Sequence, residues 1–578
     1  MANRKFLLHY LLLAAVILLG AILRFWNLDL KPYWQDEVIT ALFSLGRSYK
    51  DVPLDVVLPL TQVEQIFTLN PGTSCAQIAH NVATQSTHPP LFFCLLHKWA
   101  EAPLVGVMAR GWVWSLRALP ALCGVGAIAA LYCLNRVAFS PAAGLAGAAF
   151  MAVSPFAVYL SQEARHYTLP ILAIALALLA LIQIQRDLFQ APYKIRPWVW
   201  IAWVAINIIG LYIHYFFILA AIAQLGTLLG LMYWQRRILP RYSWVATGLA
   251  VATVGCGYFP WLPVLLRHFS HSEHNWLPPP QNIFAPLLQT LISWLFMVIA
   301  LPVEDQPLWI AVPSGLLMVV FGGWLAWYVA RGLWQLWNTP ATHLATLTLL
   351  SFTFWVLLEF FAIAYLLGKD LTSVPRYDFV YYPSICALLG ASLLRRGQSD
   401  KATRRQGEVY VHSPITPSSP HHPIPPSPHL SLSLLVGVLS CIFVVSNWVL
   451  QKPFYPERVA QNLNQEPTVP LMVVVGYIDH EAAALGLSFA LALDKIRSED
   501  VDFALFNPTP AYRLVWEHLS VLPPPKVPKL NLWVIGPGLR QQDYPQHLAL
   551  SRQATCTLDP KNFHRIGVPY QLYRCVKL

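Results

Sequence analysis

Five short clusters in this chain carry side chains that could do chemistry. The first is an adjacent acidic pair, Asp36-Glu37, within Trp34-Gln35-Asp36-Glu37. The others are His88 before Pro89-Pro90, the hexapeptide Gln162-Glu163-Ala164-Arg165-His166-Tyr167, His214 within Tyr212-Ile213-His214-Tyr215, and Arg376-Tyr377. A carboxylate can take a proton from an acceptor hydroxyl as a general base. Guanidinium groups offer paired donors to phosphate oxygens. Histidines together with carboxylates can hold a divalent ion that neutralises developing phosphate charge. This set suits transfer from a lipid-phosphate donor. Each cluster also has a plain structural reading: a solvated acidic pair, a turn histidine, an interfacial ion pair worth roughly 0–1 kcal/mol, or an arginine on lipid headgroups.

The elements that must position these groups are helices in a membrane. The 578 residues are 56% hydrophobic and 12% charged, with a mean hydropathy of +0.49, whereas a soluble domain carries about 25% charged residues. Candidate spans fall at 6–23, 117–135, 141–160, 168–185, 198–213, 216–234, 244–266, 308–330, 342–367, 380–394 and 432–450, and two shorter apolar stretches at 91–107 and 286–301. The net charge of +11 comes largely from clusters between spans, such as Arg236-Arg237, Arg395-Arg396 and Arg404-Arg405. That is the positive-inside pattern and does not indicate nucleic-acid binding.

The basic clusters set an expected topology. The N-terminus is cytoplasmic, and the first span is retained because no small-residue cleavage site follows it. The loop 24–116 is outside, and Arg136, Arg186, Arg236, Arg331 and Arg395 are inside. Stretches 91–107 and 286–301 then lie in the interface, and the C-terminus ends outside. On this topology all five clusters share the outer face, where intramembrane and juxtamembrane ionisable groups point to function.

The domain reading has four parts. Residues 1–396 form a transmembrane catalytic domain. Residues 397–428, rich in Pro, Ser and His, form a disordered cytoplasmic linker in which His421-His422 is linker composition. Residues 429–452 hold the final span. Residues 453–578 form a small extracytoplasmic α/β domain, with buried strands at 471–476 and 530–536, a helix at 479–493, and further strands at 502–506 and 570–577. The cysteines form no CxxC, which argues against a zinc-thiolate site, while Cys556 and Cys575 would pair if this domain faces an oxidising compartment. No GxGxxG or P-loop is present, so no nucleotide cofactor is expected.

Taken in order and spacing, the five clusters resemble the multi-spanning GT-C glycosyltransferases of the family-39 or PMT_2 type, relatives of protein O-mannosyltransferases and of the lipid A aminoarabinose transferase. The resemblance covers about the first 390 residues. It implies a polytopic α-helical GT-C-type fold of about 11 (11–13) spans with interfacial helices, a polyprenyl-phosphate-linked sugar as donor, and inversion at the anomeric carbon. It implies Asp36 as base with Glu37 in support. Glu163, Arg165, Tyr167, Arg376 and Tyr377 would bind substrate, and His88 and His214 would lie near a divalent metal (Mg, Mn or Zn). The expected acceptor is a lipid, glycan or protein hydroxyl, and the expected site is the bacterial plasma (inner) membrane. Three other functions compete. A flippase would place ionisable groups near the midplane, where Glu359 is the main acidic candidate. A glycan polymerase or ligase would carry a large arginine-bearing outer loop later in the chain. A membrane scaffold would need no chemistry at all.

Overall fold

The computed structural model describes residues 2–103, 105, 111–190, 194–237, 239–269, 277–394, 428–525 and 527–577. Most of the linker expected at 397–428 lies outside these residues. The chain forms two compact units. One comprises 1–26, 120–162 and 166–450; the other comprises 27–119, 163–165 and 451–578.

The first unit is helical. Among the described residues, eight helices of the chain are long and apolar enough to cross a membrane, and nine if a bent pair counts as one crossing. Every candidate span contains a helix, but their lengths differ. Tyr382–Ser392 has 11 residues, about 16 Å at 1.5 Å per residue, roughly half of a 30 Å hydrocarbon layer. Pro197–Ile213 has 17. Leu91–Glu101 and Ala285–Phe296, the two stretches expected to be interfacial, are likewise short, at 11 and 12 residues.

The bent pair, Pro141–Val153 and Pro155–Ser161, turns by 59°. Pro155 has no N–H to give to the carbonyl four residues back, that of Met151. Arg24, fully buried, supplies the missing donors: it bonds Met151 O at 2.8 Å, Ala152 O at 3.1 Å and Gly20 O at 3.0 Å. Helices 141–153 and 382–392 approach closely because a Cβ on Gly390 would sit 2.5 Å from the Gly147 backbone, the small-residue contact common between membrane helices.

The second unit is built on a seven-stranded sheet in the order β1-β3-β2-β4-β7-β6-β5. The strands are β1 (Val57–Pro59), β2 (Leu471–Gly476), β3 (Val501–Phe506), β4 (Lys529–Ile535), β5 (His547–Ala549), β6 (Ala554–Ile566) and β7 (Val568–Lys577). β3, β2 and β4 run parallel and the remaining pairs are antiparallel. β2 is apolar and buried at every position, as a strand covered on both faces must be. Helices His480–Asp494 and Arg513–Ser520 make the two parallel crossovers.

The C-terminal α/β domain anticipated from 453 onward is present, with one difference in its boundary. β1 comes from the segment after the first span and pairs with β3. Residues 27–119 therefore belong to the same unit as 451–578. A three-residue edge strand is too short to leave a period in the sequence.

Two disulfides, Cys75–Cys94 and Cys556–Cys575, both lie in this unit. The second was the pair expected. The five free cysteines, Cys123, Cys133, Cys256, Cys386 and Cys441, all lie in the first unit.

Candidate active site

Asp36 and Glu37 open helix Gln35–Ser44, where the exposed N–H groups of a first helical turn favour carboxylates. Their environments differ sharply. The Glu37 side chain is inaccessible to solvent, while the Asp36 side chain is 19% exposed.

Glu37 is held by Arg117. The guanidinium gives Nε to Oε1 at 2.8 Å and Nη2 to Oε2 at 2.7 Å, and its other three N–H groups bond the carbonyls of Leu28 and Lys31 at 3.0 Å and Pro32 at 3.1 Å. All five guanidinium donors are thus engaged. The same Glu37 Oε1 accepts the Ala164 N–H at 2.7 Å. Burial pushes the Glu37 carboxyl up, but Arg117, Lys452 and the Ala164 N–H outweigh it and hold it below the ordinary carboxylate value. Glu37 therefore fixes the loop, the helix start and the 163–165 segment together. With both oxygens committed and no exposure, it positions Asp36 and has no face to offer a substrate.

Arg165 organises the exposed side of the cluster. Nη2 lies 3.5 Å from Asp36 Oδ2, and Nη1 bonds the Asp36 carbonyl at 3.1 Å and Thr40 Oγ1 at 2.9 Å. Nη2 also lies 3.2 Å from His88 Nε2, whose Nδ1 meets Ser86 Oγ at 2.9 Å. Glu163 is fully buried and takes the Lys452 ammonium at 2.6 Å. Lys31 is buried beside the same groups. Burial, then the neighbouring Lys452 ammonium, push it well below the ordinary lysine value, while Glu163 pulls it back. Three carboxylates, Asp36, Glu37 and Glu163, thus face four basic side chains, Lys31, Arg117, Arg165 and Lys452. With Lys31 pushed well below the ordinary lysine value, Arg117, Arg165 and Lys452 pair one to one with Glu37, Asp36 and Glu163, and of these carboxylates Asp36 is the partly open one.

Tyr167, His214, Arg376 and Tyr377 belong to the other unit. There they form an aromatic cluster. The His166 and His214 rings are 4.5 Å apart, and His214 packs on Phe379 at 4.7 Å. Tyr377 meets Phe216 edge-on at 4.6 Å, and the Arg376 guanidinium sits 5.7 Å from the Tyr377 ring. His214 Nδ1 accepts the Phe216 N–H at 3.0 Å. Beside this cluster Asp378 is buried, and burial pushes its carboxyl up to about 7 against hydrogen bonds from Ser293 and Tyr381.

The sequence-based set thus falls into two groups: Asp36, Glu37, His88, Glu163 and Arg165 in one unit, and Tyr167, His214, Arg376 and Tyr377 in the other. The expected metal ligands, His88 and His214, are split between them. Among the described residues no group of three or more His, Cys, Asp or Glu side chains is arranged to hold a metal ion, and both His88 nitrogens already have partners. No step is built on a divalent cation.

Three residues of the cluster escaped the sequence reading. Arg117 is the first residue of the expected span 117–135, and an arginine in an apolar helix is itself a signal. Lys31 and Lys452 flank spans, where lysines ordinarily anchor to headgroups.

Residues 88–261 match the PMT_2 family model, described as dolichyl-phosphate-mannose-protein mannosyltransferase. No curated protein matches the sequence. Against solved structures, 99% of this chain aligns with 98% of ArnT from Cupriavidus metallidurans in the apo state, at 12% identity and a TM-score of 0.54. ArnT bound to undecaprenyl phosphate aligns at 12% identity and a TM-score of 0.53, over 98% of this chain and 97% of that one. The two alignments show that this chain shares its fold with ArnT. An archaeal oligosaccharyltransferase, AglB from Archaeoglobus fulgidus, aligns over 91% of this chain and 69% of that one at 13% identity, with a TM-score of 0.44. The ArnT alignment extends over both units, so the C-terminal sheet belongs to the shared architecture and is not an appendage confined to this chain.

Proposed function

We propose that this protein is an integral-membrane glycosyltransferase that moves a sugar from a polyprenyl-phosphate carrier to an acceptor hydroxyl at the extracytoplasmic face. The observation that carries the reading is the pairing of a partly exposed Asp36 carboxylate with Arg165 beside the buried Glu37–Arg117 and Glu163–Lys452 pairs. Asp36 takes the proton from the acceptor hydroxyl as the hydroxyl oxygen attacks the anomeric carbon. The bond from that carbon to the phosphate oxygen breaks with inversion, and the lipid phosphate leaves with the electron pair. Arg165 stands beside the base with its Nη groups on Asp36, Thr40 and His88, and it reaches the leaving phosphate by exchanging one of these partners for a phosphate oxygen. The fold and the PMT_2 match support a lipid-phosphate donor, and the absence of a nucleotide-binding fingerprint in the sequence agrees with it. Tyr167, Arg376 and Tyr377 are assigned to donor recognition on the same resemblance.

The placement outside the cytoplasm is supported by cysteine chemistry. All four paired cysteines lie in the unit that carries Asp36, and all five thiols lie in the helical unit. Disulfides persist in oxidising compartments.

The deciding experiment is to purify the parent and Asp36→Asn proteins and to follow release of polyprenyl phosphate from a panel of lipid-phosphate sugars. Turnover in the parent, with a loss of about 10²–10⁴-fold in the variant, supports Asp36 as base. Equal turnover removes it from that role. Translocation of the lipid without bond cleavage would point to a flippase.

A further inference from the structure

The segment Glu163-Ala164-Arg165 belongs to the second unit, while the residues on either side of it, up to Gln162 and from His166, belong to the first. Within the second unit it is held at three successive residues. Glu163 bonds the Lys452 ammonium at 2.6 Å, both side chains being inaccessible to solvent. The Ala164 N–H bonds Glu37 at 2.7 Å. Arg165 then reaches Asp36, Thr40 and His88. Lys452 follows Pro428–Val445, the last helix of membrane-crossing length among the described residues, and lies in the C-terminal segment beyond the shared motifs.

We propose that Lys452 is a positioning residue for the active site: by pairing with buried Glu163 it holds the 163–165 segment so that the Arg165 guanidinium stays on Asp36. The physical reason is the cost of the alternative. Without Lys452, Glu163 is a buried carboxylate without its ammonium partner, two residues from Arg165 and close to Lys31. Such a charge is costly to keep buried, so Glu163 is expected to shift toward Lys31, the other ammonium that feels it, or toward solvent, and the backbone that carries Arg165 two residues on moves with it. The role of Lys452 in catalysis rests on the glycosyltransferase reading above. Its role as a latch on the segment does not, and the two are measured separately.

The test is a double-mutant cycle on the full-length protein in lipid nanodiscs, with Lys452→Met, Glu163→Gln and the two combined. Two readouts are taken: binding of undecaprenyl phosphate, and hydrogen exchange at the Ala164 amide. Each single variant is expected to speed exchange at Ala164 and to weaken binding by about 10–10²-fold, the worth of one charge-assisted hydrogen bond. The double variant is expected to be no worse than either single, because the two act as one unit. Glu163→Gln removes the same bond from the other side, so the test stands even if Lys452→Met fails to fold. Parent-like exchange and binding in both single variants overturn the proposal. Weakened binding with a fully protected Ala164 amide, or additive losses in the double variant, also overturn it, since Lys452 would then act on the ligand directly. A parent that neither binds undecaprenyl phosphate nor turns over a lipid-phosphate sugar refutes the enzyme reading, and the exchange data alone then decide whether Lys452 latches the segment.

Discussion

Replacing Glu37 with glutamine probes how much of the candidate site rests on one buried carboxylate. Glu37 accepts three hydrogen bonds, two from Arg117 and one from Ala164, and neither it nor Arg117 is exposed. Glutamine keeps the volume but turns one acceptor oxygen into an NH2 group facing the guanidinium. One charge-assisted bond is lost, at about 1.5–3 kcal/mol, and Arg117 keeps a buried charge with no counter-ion. The expected total is about 3–5 kcal/mol, the range found when one partner of a buried ion pair is removed. The assay is denaturant unfolding of the purified protein, followed by the fluorescence of buried tryptophans such as Trp34. Glu37→Leu combined with Arg117→Met removes both charges and is expected to recover only the part of the loss that comes from the unpaired guanidinium, since the Leu28, Lys31 and Pro32 carbonyls and the Ala164 N–H then lose their partners. Acid titration gives a second check. The Glu37 carboxyl lies below its ordinary value, so its contribution is complete above the unfolded-state pKa of about 4.3 and is lost as pH falls through the lowered native value. The acid loss should be shallower in Glu37→Gln. A destabilisation under about 1 kcal/mol, the worth of an exposed pair, with an unchanged acid limb would refute the argument that this pair fixes the site.

Other outcomes follow from the same structure. Alkylation of denatured, unreduced protein should modify five cysteines and spare Cys75, Cys94, Cys556 and Cys575, as read by mass spectrometry. Arg24→Met should destabilise the helical unit by about 2–4 kcal/mol, because the buried Met151, Ala152 and Gly20 carbonyls lose their charged donor; the measurement is again denaturant unfolding. Asp378, raised to about 7 by burial, contributes stability that is complete below the unfolded carboxylate value and is lost as pH rises through about 7. Asp378→Asn should flatten that loss in a pH series of unfolding midpoints.

The apolar runs determined the helical part of this protein by themselves. A stretch of about 20 such residues has no stable place other than a bilayer, and its backbone must close its own hydrogen bonds there. Leu471–Gly476 was legible for a related reason, since an uninterrupted apolar run bounded by turn residues makes a strand covered on both faces, and the expected strand 530–536 matches Lys529–Ile535, apolar from Leu532 onward. β6 was not legible. Asp559, Pro560 and Asn562 break its propensity, and the structure accommodates them in an irregularity between Leu558 and Phe563, where Asp559 bonds Arg574.

At the site, residue type and spacing brought forward Asp36, Glu37, His88, Glu163 and Arg165, because charged groups beside apolar spans are costly and stand out. What they do was decided by tertiary contacts. Adjacent in the chain, Asp36 and Glu37 look alike in sequence, yet Arg117, 80 residues on, seals one of them and leaves the other partly open. Lys452 reaches Glu163 across 289 residues. Such long-range pairing leaves no local period or motif, and only the folded chain specifies which charge meets which.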